Sequence, residues 1–358
     1  MLKELIKTGH KRGASDLLLE AGTPAVLRVK GELASSGGTI PADVLSVEVE
    51  KLLDADQWQE FLKRRSVDLA QTISGVRCRI HVFQTIRGVG LAIRLLSSFQ
   101  NGIHVCNLHP DLRTFLDAKT GLLIVSGPTG SGKSTTLAAL IEEINRDQHR
   151  HVIMIDSPIE YSFTNHQSFI RQREVPAHAP SFEQAIIDAM RENPDVLIIG
   201  EMRTPAVMRL TLDAAETGHL VLATMHSSTC AEAISRICLS FPAEMQSSIM
   251  VQLADCLNGV ICQRLTYLPY QQFRVPHCEI LVANYAAKSN IRAGQFTQLL
   301  SVIQSGGDAG MWSFDRYARW MEKKRDWVKP SREAHLDDDP DPTAPETEEA
   351  ESPWERPS

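Results

Sequence analysis

Four short runs of apolar residues divide the middle of the chain, with polar or glycine-rich segments between them. The runs occupy residues 122–125, 152–155, 196–199 and 220–225. Because they do not alternate between apolar and polar positions, they predict strands buried on both faces, as in a parallel sheet covered by helices. Residues 136–141 follow the first run with helical apolar spacing. The pattern therefore predicts an α/β core.

The first hundred residues have a different pattern. Alternating or β-branched runs predict an antiparallel sheet with strands at residues 25–29, 67–73, 76–84 and 89–95. Residues 44–63 predict one amphipathic helix, and residues 96–109, with their glycine and asparagines, predict a linker. Beyond residue 230 the pattern is typical of helices. We expect a small α+β domain before the core.

The formal net charge of −7 is spread unevenly over the 358 residues. Residues 330–358 contain ten Asp or Glu residues against two Arg, a balance of −8, so the preceding part is nearly neutral. This segment also has six prolines and few large apolar residues, so burial cannot offset its chain entropy. It predicts a disordered, solvated acidic tail, with a docking or autoinhibitory segment as the alternative.

The apolar runs and the cysteines indicate the compartment in which the protein is expected. No run approaches the roughly 18 to 20 apolar residues that cross a bilayer, and the first residues lack the apolar core of a secretory signal. We therefore expect a cytosolic protein. Seven cysteines form no Cys-x-x-Cys pair, which predicts neither a disulfide framework nor a zinc site of the usual spacing. We expect most of them to be reduced and buried.

A phosphate-binding loop of the form GxxxxGKS follows the first apolar run. Its residues are Gly127, Pro128, Thr129, Gly130, Ser131, Gly132, Lys133, Ser134 and Thr135. In a strand-to-helix turn the backbone N–H groups and the helix N-terminus surround the phosphates of ATP. Lys133 would reach the β- and γ-phosphates, and Ser134 would bind Mg²⁺. A glycine-rich turn with a chance lysine is the alternative, and the strand and helix around the loop argue against it.

Carboxylates and a histidine follow the later apolar runs. Glu201 follows the third run and is the expected Mg²⁺ ligand, since ligands collect at the carboxyl ends of parallel strands. Asp156 and Glu160 follow the second run, and we expect Glu160 to be the base that activates water. His226 follows the fourth run and is suited to sensing the γ-phosphate. Solvated loop carboxylates and a structural histidine are the alternatives.

Taken in order, these segments resemble a known family. GPTGSGKSTT, IDSPIEYSF, RENPDVLIIGEMR and AAETGHLVLATMHSS resemble the Walker A, Asp box, Walker B and His box of the secretion-ATPase superfamily, and most closely its PilT/PilU branch of type IV pilus retraction motors. The resemblance extends from Met1 to about Trp327. It implies a P-loop, RecA-like core preceded by a PAS-like α+β domain and followed by a helical region.

Domain limits and function follow from this resemblance as expectations. The domains would span residues 1–98, a linker 99–109, the ATPase domain with its C-terminal helices 110–328, and the acidic tail 329–358. The resemblance implies an ATP-hydrolysing homohexamer that powers pilus retraction and twitching motility. Its partners would be a pilus platform protein, at the cytoplasmic face of the bacterial inner membrane, and a second retraction motor if the chain is an accessory motor.

The chain also departs from the family pattern. Asp156 and Ser157 occupy places where the Asp box usually has Glu and Asp, Thr204 replaces a common aspartate, and residues 286–293 differ from the AIRNLIRE stretch. These changes leave open whether the chain is an autonomous or an accessory motor. The tetracysteine zinc element of the pilus-assembly and type II secretion branches is missing from the sequence.

Arginines cluster in the predicted N-terminal sheet. In related ring-shaped motors, arginines of this domain reach the nucleotide, and an arginine can stabilise charge on a transferring phosphoryl group. Arg79 and Arg94 are the candidates among the four arginines on or beside these strands. An exposed arginine that only improves solubility is the alternative for each of them.

Other classes of P-loop protein fit less well. A GTPase would need Asn-Lys-x-Asp or Thr-Lys-x-Asp, and the sequence contains neither Asn-Lys nor Thr-Lys. A nucleic-acid motor would present a basic, aromatic face, whereas this chain is 6% aromatic and nearly neutral before its tail, so we expect no nucleic-acid partner. That class stays a minor alternative, and a secretion or conjugation ATPase is the closer one.

Overall fold

The computed structural model describes residues 1–29, 31–96 and 99–329. Its N-terminal part is an antiparallel sheet with the strand order β3-β2-β1-β6-β5-β4, packed against helices. The elements are α1 (Leu2–Lys11), β1 (Ala14–Glu20), β2 (Pro24–Val29), β3 (Glu32–Thr39), α2 (Ala42–Leu52), α3 (Ala55–Arg64), β4 (Ser66–Ile73), β5 (Val76–Thr85) and β6 (Gly88–Leu96).

The four strands predicted here are confirmed, and β1 and β3 join them. The single helix predicted over 44–63 is wrong, because the chain breaks at Leu53, whose backbone is extended. Asp54 then caps a new helix: its carboxylate accepts a hydrogen bond from the Gln57 N–H at 2.8 Å, and the Gln57 side chain accepts one from the Asp54 N–H at 3.1 Å. Such a reciprocal cap favours a helix start at this point.

The second part of the chain contains a mixed sheet with the order β13-β12-β7-β11-β10-β8-β9. All neighbours are parallel except β12 and β13. The elements are β7 (Gly121–Ser126), α4 (Lys133–Asp147), β8 (His151–Asp156), β9 (Phe169–Glu174), α5 (Phe182–Ala189), β10 (Val196–Ile199), α6 (Pro205–Glu216), β11 (Leu220–Met225), α7 (Cys230–Leu239), α8 (Ala243–Cys256), β12 (Leu257–Leu268), β13 (Phe273–Val282), α9 (Tyr285–Arg292), α10 (Leu299–Ser305) and α11 (Phe314–Lys323). Short 3₁₀ turns lie at Pro110–Asp117, Phe296–Gln298 and Gly307–Ala309.

The uninterrupted apolar runs are explained by packing on both faces of this sheet. Leu122 and Ile124 of β7 belong to one buried cluster, whereas Leu123 and Val125 belong to another that includes Leu140 of α4. Successive side chains of a strand point to opposite faces, so each strand supplies both clusters. This confirms the prediction of an α/β core.

The parallel pairing brings four strand ends to one edge of the sheet. β7 pairs with β11 up to Ser126 opposite Met225, and β10 pairs with β8 and β11 up to Ile199. The segments that follow these strands are the P-loop, Asp156 to Glu160, Glu201 and His226. The fold therefore gathers the predicted site residues at one edge.

The C-terminal part is helical, as predicted, but it also contains β12 and β13, which the sequence pattern did not indicate. The segment predicted as a linker packs against the core through buried Phe99, Ile103 and Leu108. The acidic residues 330–358 lie outside the described residues, and the domain limits stay predictions.

All seven cysteines are free thiols, six of them buried. In the described part of the chain, no helix combines the length and the apolar character needed to cross a membrane.

Candidate nucleotide site

A cavity of about 400 Å³ lies at this edge of the sheet. The P-loop and the first turn of α4 form one wall, and the segment from Asp156 to Phe163 forms another. Glu201, Arg203, Thr224 and His226 enclose it from the ends of β10 and β11. The lining includes every predicted P-loop residue from 129 to 135 and also Glu160.

The P-loop owes its shape to glycines at two sharp turns. Gly130 and Gly132 have φ values of 73° and 80°, a left-handed conformation that glycine adopts without strain. Gly132 is the N-cap of α4, which begins at Lys133. The N-terminus of α4 therefore opens into the cavity, where its free N–H groups and its dipole favour an anion.

Lys133 is held inside the loop. Its Nζ donates hydrogen bonds to the carbonyl oxygens of Gly127 and Pro128, each at 2.9 Å. Burial lowers its pKa, while the carboxylates of Glu201 and Glu160 oppose that shift. A cation so placed is available to a phosphate that enters the loop.

Ser131 gives an independent indication of a ligand. Its Oγ is buried and has no hydrogen-bond partner among the described residues. A buried hydroxyl without a partner is unfavourable, and a phosphate oxygen in the loop would accept its hydrogen bond. The donor set of the loop therefore fits a polyphosphate.

Glu201 and His226 meet Lys133 in one chain of contacts. His226 Nδ1 lies 3.4 Å from Lys133 Nζ, and its Nε2 lies 3.2 Å from Glu201 Oε1. The Arg203 guanidinium lies 2.6 Å from the other carboxylate oxygen, Oε2, of Glu201. The structure thus brings together the predicted metal ligand, the predicted γ-phosphate sensor and the P-loop lysine.

Asp156 and Glu160 line the cavity from the segment at the end of β8. Asp156 Oδ1 accepts a hydrogen bond from the Ser157 N–H at 2.8 Å. Burial raises the pKa of Asp156 to about 7, and the carboxylates of Glu160, Glu174 and Glu201 add to the effect. A Cβ at Gly200 would lie 2.1 Å from Asp156 Oδ1, so this close packing requires glycine there. Glu160 is exposed to the cavity.

The two candidate arginines lie elsewhere. Arg79 is exposed on β5, and Arg94, its register partner on β6, lies 3.9 Å from Asp16. Neither lines the cavity of its own chain. Their neighbour Arg77 instead reaches Glu174 at 3.5 Å, at the end of β9. Any catalytic role of Arg79 and Arg94 stays a prediction.

Several residues of the site were not found from the sequence. Tyr161 donates or accepts a hydrogen bond with Thr135 at 3.0 Å, and Arg203 pairs with Glu201. Gln263 of β12 contacts the P-loop directly. Tyr161 and Arg203 lie within the family-like motifs, so those motifs could have identified them as site residues. No sequence pattern pointed to Gln263, because β12 itself was not predicted.

Comparisons with known proteins agree with this geometry. A family model described as "Type II/IV secretion system protein" matches residues 63–295. The uncharacterized protein YggR of Escherichia coli K12 is 36% identical over 318 residues, which are 88% of this chain and 96% of that protein. The type IV pilus retraction ATPase PilT of Pseudomonas aeruginosa is 35% identical over 326 residues, which are 90% and 94% of the two chains.

A solved structure has the same fold over almost the whole length. The crystal structure of the pilus retraction motor PilT with bound ADP has a TM-score of 0.79 and 33% sequence identity, and the match covers 95% of this chain and 97% of that one. The match includes both the N-terminal sheet and the nucleotide core. The chain therefore belongs to the type II/IV secretion system protein family, in its branch of PilT-type pilus retraction ATPases.

Proposed function

We propose that the protein is a motor in which ATP hydrolysis drives type IV pilus retraction and twitching motility. The observation that carries the proposal is the single cavity that joins the P-loop lysine, the Asp-box carboxylates, Glu201 and His226. The similarity to PilT supports pilus retraction as the process that ATP hydrolysis drives.

In the proposed mechanism, the P-loop and Lys133 bind the phosphates of ATP and neutralise charge as the γ-phosphoryl group leaves. Mg²⁺, held by Ser134 and Glu201, would add positive charge at the same phosphates. Glu160, whose carboxylate faces the cavity, orients the attacking water and accepts its proton. His226 lies between Lys133 and Glu201, so a change at the γ-phosphate reaches Glu201 and the end of β10.

The motor works as a ring in this proposal. Among the described residues, no arginine from the N-terminal sheet of the same chain lines the P-loop cavity, and a neighbouring subunit would supply Arg79 and Arg94. A homohexamer satisfies this requirement, and the family resemblance favours it. The ring would contact a platform protein at the cytoplasmic face of the inner membrane. The substitutions in the Asp box and at Thr204 leave room for a second retraction motor beside it.

Deleting the gene tests whether the motor retracts pili or assembles them. Surface pili should remain on the cells while twitching is lost, because retraction fails and assembly continues. Wild-type protein should restore twitching, and the Lys133→Ala variant should not. Loss of the surface pili themselves would contradict a retraction motor.

The purified Lys133→Ala variant tests the site. We expect its ATP hydrolysis to fall at least a hundredfold, since an electrostatic contact to the reacting phosphates is lost, while its melting temperature stays close to wild type. Lys119→Ala, at an exposed position outside the cavity, is the control and should hydrolyse ATP normally. Unchanged turnover in Lys133→Ala would contradict the assignment of this cavity.

A further inference from the structure

The side chain of Gln263 joins β12 to both sides of the P-loop turn. Its Nε2 donates a hydrogen bond to the Ser131 carbonyl oxygen, just before the turn at Gly132. Its Oε1 accepts a hydrogen bond from Thr136 Oγ1 at 2.6 Å, in the first turn of α4. Gln263 is 1% exposed and Thr136 is also 1% exposed. One amide group thus connects the loop to the helix that follows it.

Strand pairing places Gln263 at this position. β12 runs parallel to β7, with Cys262 opposite Ser126, so Gln263 lies beside the first residue of the P-loop. A Cβ at Gly127 would lie 2.3 Å from the Gln263 carbonyl oxygen, and a Cβ at Gly132 would lie 3.0 Å from its Nε2. Two glycines of the loop are therefore in close contact with this one residue.

We propose that Gln263 is a positioning residue that holds the P-loop in the shape that binds the nucleotide phosphates. The inference rests on the proposed nucleotide site but adds a residue from outside the family-like motifs. Gln263 does not line the cavity, so it acts through the Ser131 carbonyl and Thr136. Its amide fixes the backbone whose N–H groups face the phosphates.

This role has a kinetic consequence. A preformed loop favours bound ATP and the transition state to the same extent, because the β-phosphate contacts change little during the reaction. Loss of such uniform binding raises KM while kcat is retained. ADP should be affected as strongly as ATP. A residue that only supports the fold would instead lower the melting temperature and leave nucleotide affinity unchanged.

The test uses two variants that remove the two halves of the contact. Gln263→Met keeps the length and volume of the side chain but removes its amide, and Thr136→Val removes the hydroxyl. We expect the Kd for ADP and the KM for ATP to rise about tenfold or more in Gln263→Met and a few-fold in Thr136→Val, with kcat within about twofold of wild type. Thr136→Ser retains the hydroxyl and should behave as wild type.

The full-length protein is used, and ADP binding is measured by calorimetry beside the melting temperature without nucleotide. Gln71→Glu on exposed β4 is the surface control. The inference is overturned if Gln263→Met and Thr136→Val bind ADP as tightly as wild type, or if kcat falls while KM is unchanged. If Gln263→Met does not fold, the ADP affinity and KM of Thr136→Val alone test the positioning role. Failure of wild-type protein to bind ADP would contradict the proposed function instead.

Discussion

Glu160 and Glu201 both face the cavity, but their surroundings differ. Glu201 is half-buried and held by His226 and Arg203, so its orientation is fixed. Glu160 is exposed in the segment after β8 that lines the cavity, where it has room to contact a water molecule. The difference in surroundings agrees with one carboxylate near a metal ion and another that activates water.

Replacing each of these two glutamates by glutamine separates the role of water activation from that of metal binding. Glu160→Gln should bind MgATP with an affinity near that of wild type and lose at least a hundredfold in kcat, because only the base is removed. Glu201→Gln should in addition require a higher Mg²⁺ concentration for half-maximal binding. Titrations of nucleotide and of Mg²⁺ against each variant measure both effects. Identical curves for the two variants would contradict the division of roles.

Asp156 makes the stability of the protein depend on pH. Its pKa is raised from 3.8 to about 7 by burial in the folded protein, so the folded state binds its proton more tightly than the unfolded state. Its contribution to stability is therefore fully present below about pH 4 and is lost as the pH rises through 7.

The Asp156→Asn variant should remove this dependence. Relative to wild type, we expect it to gain about 4 kcal/mol in the free energy of unfolding at pH 8 and little at pH 4, because asparagine cannot ionise. Urea unfolding without nucleotide, at intervals between pH 4 and 8, measures the difference. A difference between the two proteins that does not change with pH would show that Asp156 titrates normally.

Among the elements, β5 and β9 connect the two sheets through one ion pair. Arg77 of β5 and Glu174 of β9 have side-chain exposures of 17% and 11%. Glu174 Oε2 also accepts a hydrogen bond from the Ile159 N–H at 3.4 Å, next to Glu160. A change at the N-terminal sheet is therefore two contacts away from the proposed base.

Arg77→Ala should leave the Glu174 carboxylate buried and without its cation. We expect the free energy of unfolding to fall by about 2 kcal/mol. The matched control is Arg79→Ala on the same strand, where the side chain is exposed and the loss should stay below about 0.5 kcal/mol. Urea unfolding of both variants compares them. Equal losses would mean that the ion pair does not stabilise the contact between the sheets.

The strands that form the site could be predicted because their signal is local. β7, β8, β10 and β11 are almost wholly apolar. A glycine-rich loop follows β7, carboxylates lie at the ends of β8 and β10, and a histidine follows β11. The break between α2 and α3 was missed because Asp54 and Gln57 make a local cap inside an otherwise continuous helical pattern.

Gln263 was missed for a different physical reason. Its contact with the P-loop depends on the pairing of β12 with β7, and the two strands are separated by more than a hundred residues. Sequence periodicity reports which face of an element is buried, but not which distant element covers it. The amide that contacts the loop could therefore be found only in the folded chain.

For the molecule as a whole, the position of the N-terminal arginines bears on assembly. Arg79 and Arg94 stand directly opposite each other in the sheet, and like charges placed in this way destabilise a strand pair. Asp16, which lies 3.9 Å from Arg94, offsets part of this repulsion. Neither arginine lines the cavity of its own chain, and we propose that they act on the phosphates bound by a neighbouring subunit.

This proposal predicts that activity depends on the ring. Specific ATPase activity should rise with protein concentration as oligomers form. The double variant Arg79→Ala, Arg94→Ala should bind nucleotide normally but turn over at least tenfold more slowly, because an arginine at the transferring phosphate is lost. Native mass measurements at each concentration give the oligomeric state. Activity that is independent of concentration would contradict a site shared between subunits.

Mixed rings give the sharper test. In a random, equal mixture of the double arginine variant with Glu160→Gln, about a quarter of the interfaces would combine an intact Glu160 with intact arginines, because a ring interface is heterologous. Activity should partly return. The control mixes Lys133→Ala with Glu160→Gln, whose lesions lie in one cavity of one chain, so that no interface is complete and no activity should return. If mixed rings confirmed by mass give no recovery in the first mixture, the arginines do not act across the subunit boundary.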